Sequence, residues 1–363
     1  MYFKGKKNVF IAENTGAVKR SDVLAGMAAL LVCFFTMYYA DITVTSRFSL
    51  IFLDSLFDGS PLSFYSNALA SGIAPEGAVY DIGMYIIFAV WNLPVWILQK
   101  TARLDAMSVG ALLWVKLLPV LCAFLSMFLV KRIGNLLGYG ERVQNLVAFV
   151  YLFSLCLFFP VFVVAQYDII PVLLILYGVY WYMGGANRKF LLCFALAMTM
   201  KPFALFPFLA MVLYKNKRIS AIIKFCVAGI GPMILCKIIY SFGGGYQESN
   251  GDFLITGLLK VFPSVKIGNG EVALFFLAIL IIYYFAYANE PKEWGERENR
   301  KIIWIITCVW VSFVMFVTIN PYWSVYLTPF LILTVFMSGR ETGICLFLEW
   351  LFEVFITLTM IIN

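Results

Sequence analysis

The chain has 363 residues, 63% of them hydrophobic and 13% charged, with a mean hydropathy of +0.90; these proportions exclude a water-soluble domain and define an all-α polytopic membrane protein. At about 20 apolar residues per crossing, residues 1–363 form a single transmembrane domain with no room for a sizeable soluble one. The net charge of +7 comes from Lys and Arg scattered over short loops rather than massed on one face, which argues against nucleic acid as a partner and for a topological signal.

Residues 1–22 carry Lys4, Lys6, Lys7, Lys19 and Arg20 against Glu13 and Asp22. The positive-inside rule makes them a cytoplasmic leader rather than a cleaved signal peptide. Val23 to Ala40 is the first span and delivers Asp41 outside. Residues 41–78 are a first external loop with interfacial helices. Phe48, Ile51, Phe52 and Leu56 recur at helical spacing, so Arg47 to Phe57 reads as an amphipathic helix in the interface. Gly59-Ser60-Pro61 stops it, a second short helix covers Leu62 to Ala70, and Gly72, Pro75 and Gly77 turn the chain back. Together these helices are expected to roof a cavity at the membrane surface.

Val79 to Leu98 and Ala106 to Val130 read as two spans, which conflicts with the segment from Lys131 to Arg142. That segment holds three basic residues and one acid and belongs inside. The preferred resolution bends the second run at Lys116 and Pro119 into two half-helices; the other makes Val79 to Leu98, broken at Pro94, re-entrant. A span from Val143 to about Val164 follows, and then the polar turn Gln166-Tyr167-Asp168 on the side of Asp41. Ile169 to Met183 returns to Arg188 and Lys189. Phe190 to Tyr214 is interrupted by Lys201-Pro202 and has basic residues at both ends, so it predicts a shallow hairpin with Lys201 at its outer turn.

Ile219 to Tyr240 leads into residues 241–271, a second external loop containing GGGYQESNGD and a short apolar piece from Leu254 to Phe262. Val272 to Ala288 is a span and NEPKEWGERENRK a solvated cytoplasmic loop. Two further spans flank Asn320-Pro321-Tyr322-Trp323, and the last runs from about Gly343 to Ile362. No internal period marks a repeat architecture.

The chain has no His, so triads and proton relays built on histidine are excluded and general-base work falls to a carboxylate. The eight Cys lie in apolar runs without a CxxC pair and read as small buried hydrophobes; no metal site or cofactor is assigned. The polar residues gathered on the outer face suit a phosphate-bearing substrate. Lys201 and Arg47 are candidates to neutralise a phosphate leaving group, and Asp41 to accept a proton from an attacking hydroxyl. Tyr80, Asp81, Gln166, Asp168, Asn320 and Tyr322 are the further candidate substrate contacts. Each also has a plain structural reading: Asp41 as a helix cap, Lys201 snorkelling to the interface, Asp168 capping the helix from Ile169 (the favoured reading there), and Asn320 to Trp323 as an interfacial belt.

Asp41 just after the first span, the interface-helix loop, the turn Gln166 to Asp168 and Lys201-Pro202 in a broken hairpin follow one another within residues 1–220. In this order the sequence resembles the membrane glycosyltransferases of fold class C, which use polyprenyl- or dolichyl-phosphate sugars. The resemblance implies a class-C-like transmembrane helix bundle with Asp41 as catalytic base and Lys201 at the donor phosphate. It also implies a later external loop that helps hold the lipid-linked donor, and a cell-envelope glycan or glycolipid as acceptor. Two departures stand out: many members have paired acids where Asp41-Ile42-Thr43 has one, and Ala165-Gln166 replaces a frequent Gly-Gln. The first puts any divalent-metal requirement in doubt. The rival class is a transporter or flippase with Lys116, Lys201 and Lys237 as intramembrane charges, which calls for two related halves that the sequence does not show. A non-enzymatic envelope-assembly scaffold is the third reading. The expected location is a bacterial plasma membrane, embedded among its lipids, with the site on the external face.

Overall fold

The computed structural model describes residues 18–39, 41–75, 77–251, 262–267, 270–291, 293–318 and 320–362; most of the basic leader, residue 76, the apolar piece at 254–261 and residue 319 lie outside them. So apolar a chain must satisfy its peptide groups internally, and most of the described backbone is helical. In chain order the helices are α1 (Arg20–Thr36), α2 (Asp41–Phe57), α3 (Phe64–Ala70), α4 (Ile82–Ala102), α5 (Val109–Leu136), α6 (Glu141–Phe153) and α7 (Leu155–Phe158). After a π-helical turn at Phe159–Val163 come α8 (Ile169–Met183), α9 (Asn187–Met198), α10 (Leu205–Lys215), α11 (Ile219–Ser241), α12 (Leu274–Ala288), α13 (Glu296–Phe316), α14 (Thr328–Met337) and α15 (Thr342–Ile362). Among the described residues α4, α5, α11, α13 and α15 are long and apolar enough to cross a membrane, and two bent pairs bring the number up to seven. The molecule is a multi-pass, helical membrane protein.

Among the described residues one regular element is not helical. Ser264–Ile267 and Gly270–Ala273 pair as an antiparallel hairpin, β1 and β2, with Val265 opposite Val272. The span expected from Val272 therefore starts at Leu274.

Two loop clusters mark the ends of the bundle. At one, Asn299 donates to the Leu136 carbonyl at 3.0 Å, Trp294 to that of Met183 at 2.9 Å, and Lys217 to those of Ala286 and Asn289 at 3.0 and 2.9 Å. This end gathers Lys131, Arg132, Arg142, Arg188, Lys189, Lys215, Lys217 and Arg218. At the other, Gly83 N–H meets the Thr199 carbonyl at 3.0 Å and Lys237 meets Asp81 at 2.6 Å.

The expected bend at Lys116 and Pro119 is not present: α5 is one 28-residue helix with Pro119 inside it. Lys116 is fully buried, and its ammonium donates to the carbonyls of Cys33 at 2.8 Å, Phe162 at 2.7 Å and Met37. Those carbonyls lie at the C-terminal ends of α1 and of the π-helical turn, where a cation is favoured, so the lysine fastens three segments at one level. From Lys116 to Leu136 the helix rises about 30 Å, at about 1.5 Å per residue. That alone takes the chain from one end to the other.

α4 does not change ends. It leaves the Asp81 end beside α2, with Asn92 donating to Ser49 at 2.8 Å, Trp96 to Asp54 at 2.8 Å and Lys100 paired with Asp54 at 2.7 Å. Trp91 stacks on Trp114 of α5 at 4.8 Å, each indole N–H donating to the other's backbone carbonyl. The turn at 103–108 therefore stays on the end of α2, and Lys131, Arg132 and Arg142 fall on the other. The charge conflict is resolved in α4, not α5.

α2 begins at Asp41 rather than Arg47, and it buries Thr45, Ser46 and Ser49 together with Phe48 and Phe52 while leaving Leu56 exposed. Its small hydroxyl-bearing positions let α4 approach. The span expected from Val143 to Val164 is broken: α6 and the following segment meet at a 50° bend. At the break, Glu353 of α15 accepts from Leu155 N–H at 2.9 Å and from the Ser154 hydroxyl, a carboxylate placed where a helix N-terminus favours one. The hairpin of α9 and α10 forms as read, with Lys201 at its turn. In a background without native cysteines, single cysteines at Gly59 and Asp105 should be labelled from one side of sealed vesicles, and at Asn187 and Glu296 from the other. Labelling of Asp105 together with Asn187 would restore α4 as a crossing.

Candidate functional site

The site is built where the ends of five chain segments meet. The π-helical turn terminates at Ala165, whose φ of 56° is left-handed, and this reversal turns Gln166 inward with its N–H on the Pro160 carbonyl at 2.8 Å. The Gln166 side chain is fixed at both ends. Its oxygen accepts from Tyr167 N–H at 3.0 Å and its amide nitrogen donates to Asp41 Oδ2 at 2.5 Å. Asp41, the first residue of α2, is thereby held at its Oδ2.

Asp168 holds the N-cap position of α8, but its side chain makes no capping bond. Its Oδ1 takes Lys201 Nζ at 3.2 Å and the Tyr326 hydroxyl at 3.1 Å. Lys201 does not snorkel; it is 4% exposed, with its ammonium 4.1 Å from the centre of the Tyr80 ring and 5.8 Å from that of Trp323. A buried ammonium needs such an ion pair and aromatic faces to replace water. Proline at 202 keeps Lys201 extended, at φ −143° and ψ 119°, so the side chain leaves the hairpin turn toward Asp168.

Tyr80 is clamped through its backbone, its carbonyl accepting from Tyr65 of α3 at 2.9 Å and its N–H donating to the Tyr85 hydroxyl at 3.3 Å. Gly83 brings the start of α4 against the Lys201 turn; a Cβ there would meet the Thr199 carbonyl oxygen at 2.6 Å. Asp81 is 8% exposed and pairs with Lys237 of α11. Gly245, at φ +79°, lets the loop after α11 close on α3, where a Cβ would meet Ser66 N at 2.6 Å. Beside the start of α2 is a cavity of about 220 Å³, bordered by Asp41, Thr45, Phe48, Gly77, Tyr80 and Tyr167.

Burial pushes the Asp41 carboxyl above its ordinary value and Asp168 adds to this, against the opposing pull of Lys201 and Gln166. Burial pulls on Lys201 in the opposite sense, but Asp168, Tyr80 and Asp41 outweigh it and hold the ammonium above its ordinary value. Among the described residues no group of three or more His, Cys, Asp or Glu side chains gathers as metal ligands. Asp41, Asp81 and Asp168 each face a different partner.

The structure thus brings together Asp41, Gln166, Asp168, Lys201 and Tyr80, with Asp81 alongside. Arg47 is exposed on a different face of α2 and does not border the cavity. Asn320 is exposed and accepts from Tyr322 N–H at 3.2 Å, capping the short helix Pro321–Tyr326. From that loop it is Trp323 and Tyr326 that reach the site. Their i, i+3 spacing after Asn-Pro is the one local signal for them. No protein-family model, curated protein or solved structure matches the chain.

A left-handed alanine costs about 1 kcal/mol or more, which glycine avoids. Ala165→Gly should therefore leave function intact and raise thermal stability of the purified protein, whereas the β-branched Ala165→Val should lower it by a larger amount and displace Gln166 from Asp41. Equal unfolding temperatures for the two variants would show that the turn is not strained.

Proposed function

We propose that the protein is a membrane glycosyltransferase of the class-C type, moving a sugar from a polyprenyl-phosphate donor to a hydroxyl of a cell-envelope glycan or lipid-linked acceptor. The observation that carries this reading is an amide-held carboxylate, Asp41 on Gln166, at the edge of a cavity whose wall residue Tyr80 is backed by a buried ammonium, Lys201 on Asp168. The acceptor oxygen attacks the anomeric carbon opposite the phosphate. The bond from that carbon to the phosphate oxygen breaks with its electron pair leaving on phosphate, the hydroxyl proton passes to Asp41, and the configuration inverts. Lys201 balances the charge that develops on the leaving phosphate.

An anionic donor must enter a site where Asp41, Asp81 and Asp168 face Lys201 and Lys237. Tyr326 supports Asp168 while the phosphate shares the lysine. The basic end is assigned to the cytoplasm by the positive-inside rule, which puts the cavity at the outer face of what we take to be a bacterial plasma membrane. The apolar roof of α2 and α4 is suited to a lipid-borne donor.

With the purified protein, a polyprenyl-phosphate sugar and acceptor membranes, Asp41→Asn should lower transfer by roughly 10² to 10⁴ at unchanged insertion. Wild-type turnover would remove Asp41 from the mechanism. A base with a raised pKa is lost to protonation sooner as pH falls, so the acid limb of the rate profile should lie above the ordinary Asp value of about 3.9.

Lys201→Met keeps the stem and deletes the charge, but it also strands Asp168, so it is to be compared with the double variant Asp168→Asn plus Lys201→Met. Both should bind donor poorly; normal binding by the double variant would overturn the phosphate role. Solute movement across sealed vesicles without glycosidic bond formation would replace this reading with the transporter.

A further inference from the structure

At the end of the bundle opposite the site, a groove of about 610 Å³ opens between α5, α6 and α8. Its floor is apolar: Leu125 and Phe128 of α5 with Tyr177 of α8. Its rim is polar and cationic, formed by Lys131 and Arg132 in the last turns of α5 and by Gln144 in the first turn of α6. Among the described residues no carboxylate lines it.

Several other cations of this end are engaged. Lys215 donates to Asn187 at 2.6 Å, Lys217 to three backbone carbonyls, and Arg300 and Lys301 pair with Glu296 and Glu298 at 2.7 and 2.8 Å. Lys189 lies 3.9 Å over the Trp181 ring. Lys131 and Arg132 have neither hydrogen bond nor ion pair among the described residues; Arg142, Arg188 and Arg218 share that state but do not line the groove.

The spacing of the α5 residues explains the groove's shape. Positions 125, 128 and 132 follow at i, i+3 and i+7 and share one helix face, so a single stripe runs from the cations into apolar surface. Leu125 and Phe128 are 47% and 57% exposed, in a helix that crosses the membrane, so that surface faces lipid. A ligand that fits has an anionic head at Lys131 and Arg132 and an apolar chain descending along Phe128.

We propose that this groove is a binding site for an anionic phospholipid of the leaflet at the basic end. The phosphate is held by Lys131 and Arg132, the Gln144 side chain lies within reach of the head group, and one acyl chain lies on Leu125, Phe128 and Tyr177. The charge pattern selects the occupant, since basic pockets between membrane helices take anionic head groups and Arg holds phosphate oxygens in pairs. The proposal does not depend on the glycosyltransferase reading.

The test uses the full chain in nanodiscs of phosphatidylcholine with added phosphatidylglycerol of the same chain length, reading retained lipid by native mass spectrometry. The wild type should retain phosphatidylglycerol preferentially. Lys131→Gln plus Arg132→Gln should reduce that preference about tenfold or more while unfolding at the wild-type temperature in pure phosphatidylcholine. Arg188→Gln plus Lys189→Gln, at the same end, should leave it nearly unchanged.

Equal loss in the two double variants would mean a diffuse surface field and overturn the site. Soluble glycerol phosphate should not displace the lipid; displacement at comparable concentration would assign the cations to free phosphate and overturn the lipid reading. Should the Lys131 and Arg132 pair fail to insert, Arg132→Gln alone, at an exposed position, is expected to show a severalfold loss. No loss there sinks the proposal.

Discussion

The buried pair of Asp168 and Lys201 is the constraint on which the site depends. Neither group tolerates removal from water alone, and a buried charge stripped of its partner costs on the order of 3–5 kcal/mol. The pair sits between two interrupted helices, one broken before Asp168 and one at Lys201, and it fixes both breaks at one level. Tyr326 then joins the short helix at 321–326 to the same carboxylate, and Tyr80 brings the start of α4 over the ammonium. Four stretches distant in sequence meet because one desolvated pair needs all of them.

Broken helices expose backbone groups that an apolar surrounding cannot satisfy, and two distant side chains meet that need. Lys116 closes the carbonyl ends of α1 and the π-helical turn, and Glu353 closes the amide start of α7. The two act at opposite ends of the segment Leu155–Val163, which delivers Ala165 and Gln166. Asp41 owes its position to both: α1 ends under Lys116, and Gln166 follows from the turn that Glu353 starts.

What could be read from the sequence was local. Polar residues interrupting apolar runs identified Asp41, the Gln166 to Asp168 turn and the Lys201 hairpin, because an ionisable group in such a setting must face a cavity or a partner. Gly59-Ser60-Pro61 correctly separated α2 from α3. Which partner each group takes was not legible: Asp168 reads as a helix cap, and only the fold shows Lys201 and Tyr326 closing on it. The course of α4 was not legible because length and hydropathy are the same for a helix that crosses and for one that runs beside α2, and Trp91 reports its pairing with Trp114 only in three dimensions. Arg47 was assigned to the site by loop membership, while helical rotation from Asp41 carries it away. Glu353 and Lys116 act through carbonyls and amides that leave no residue pattern.

The net charge of +7 divides along the same line. Lysines near the site are buried or half-buried, and Lys201 and Lys237 are each matched by an aspartate, so that end gains little field from them. At the other end some cations close helix ends or pair with acids, and Lys131 and Arg132 remain over an apolar groove. A charge that encodes topology has only to stay near the head groups, where exposure is cheap. One that serves chemistry must be desolvated to be strong, and it then needs a counter-charge in place before any substrate arrives. The positive residues most visible in the sequence therefore gather at the basic end, whereas Lys201, flanked by apolar residues in MTMKPF, is buried against Asp168.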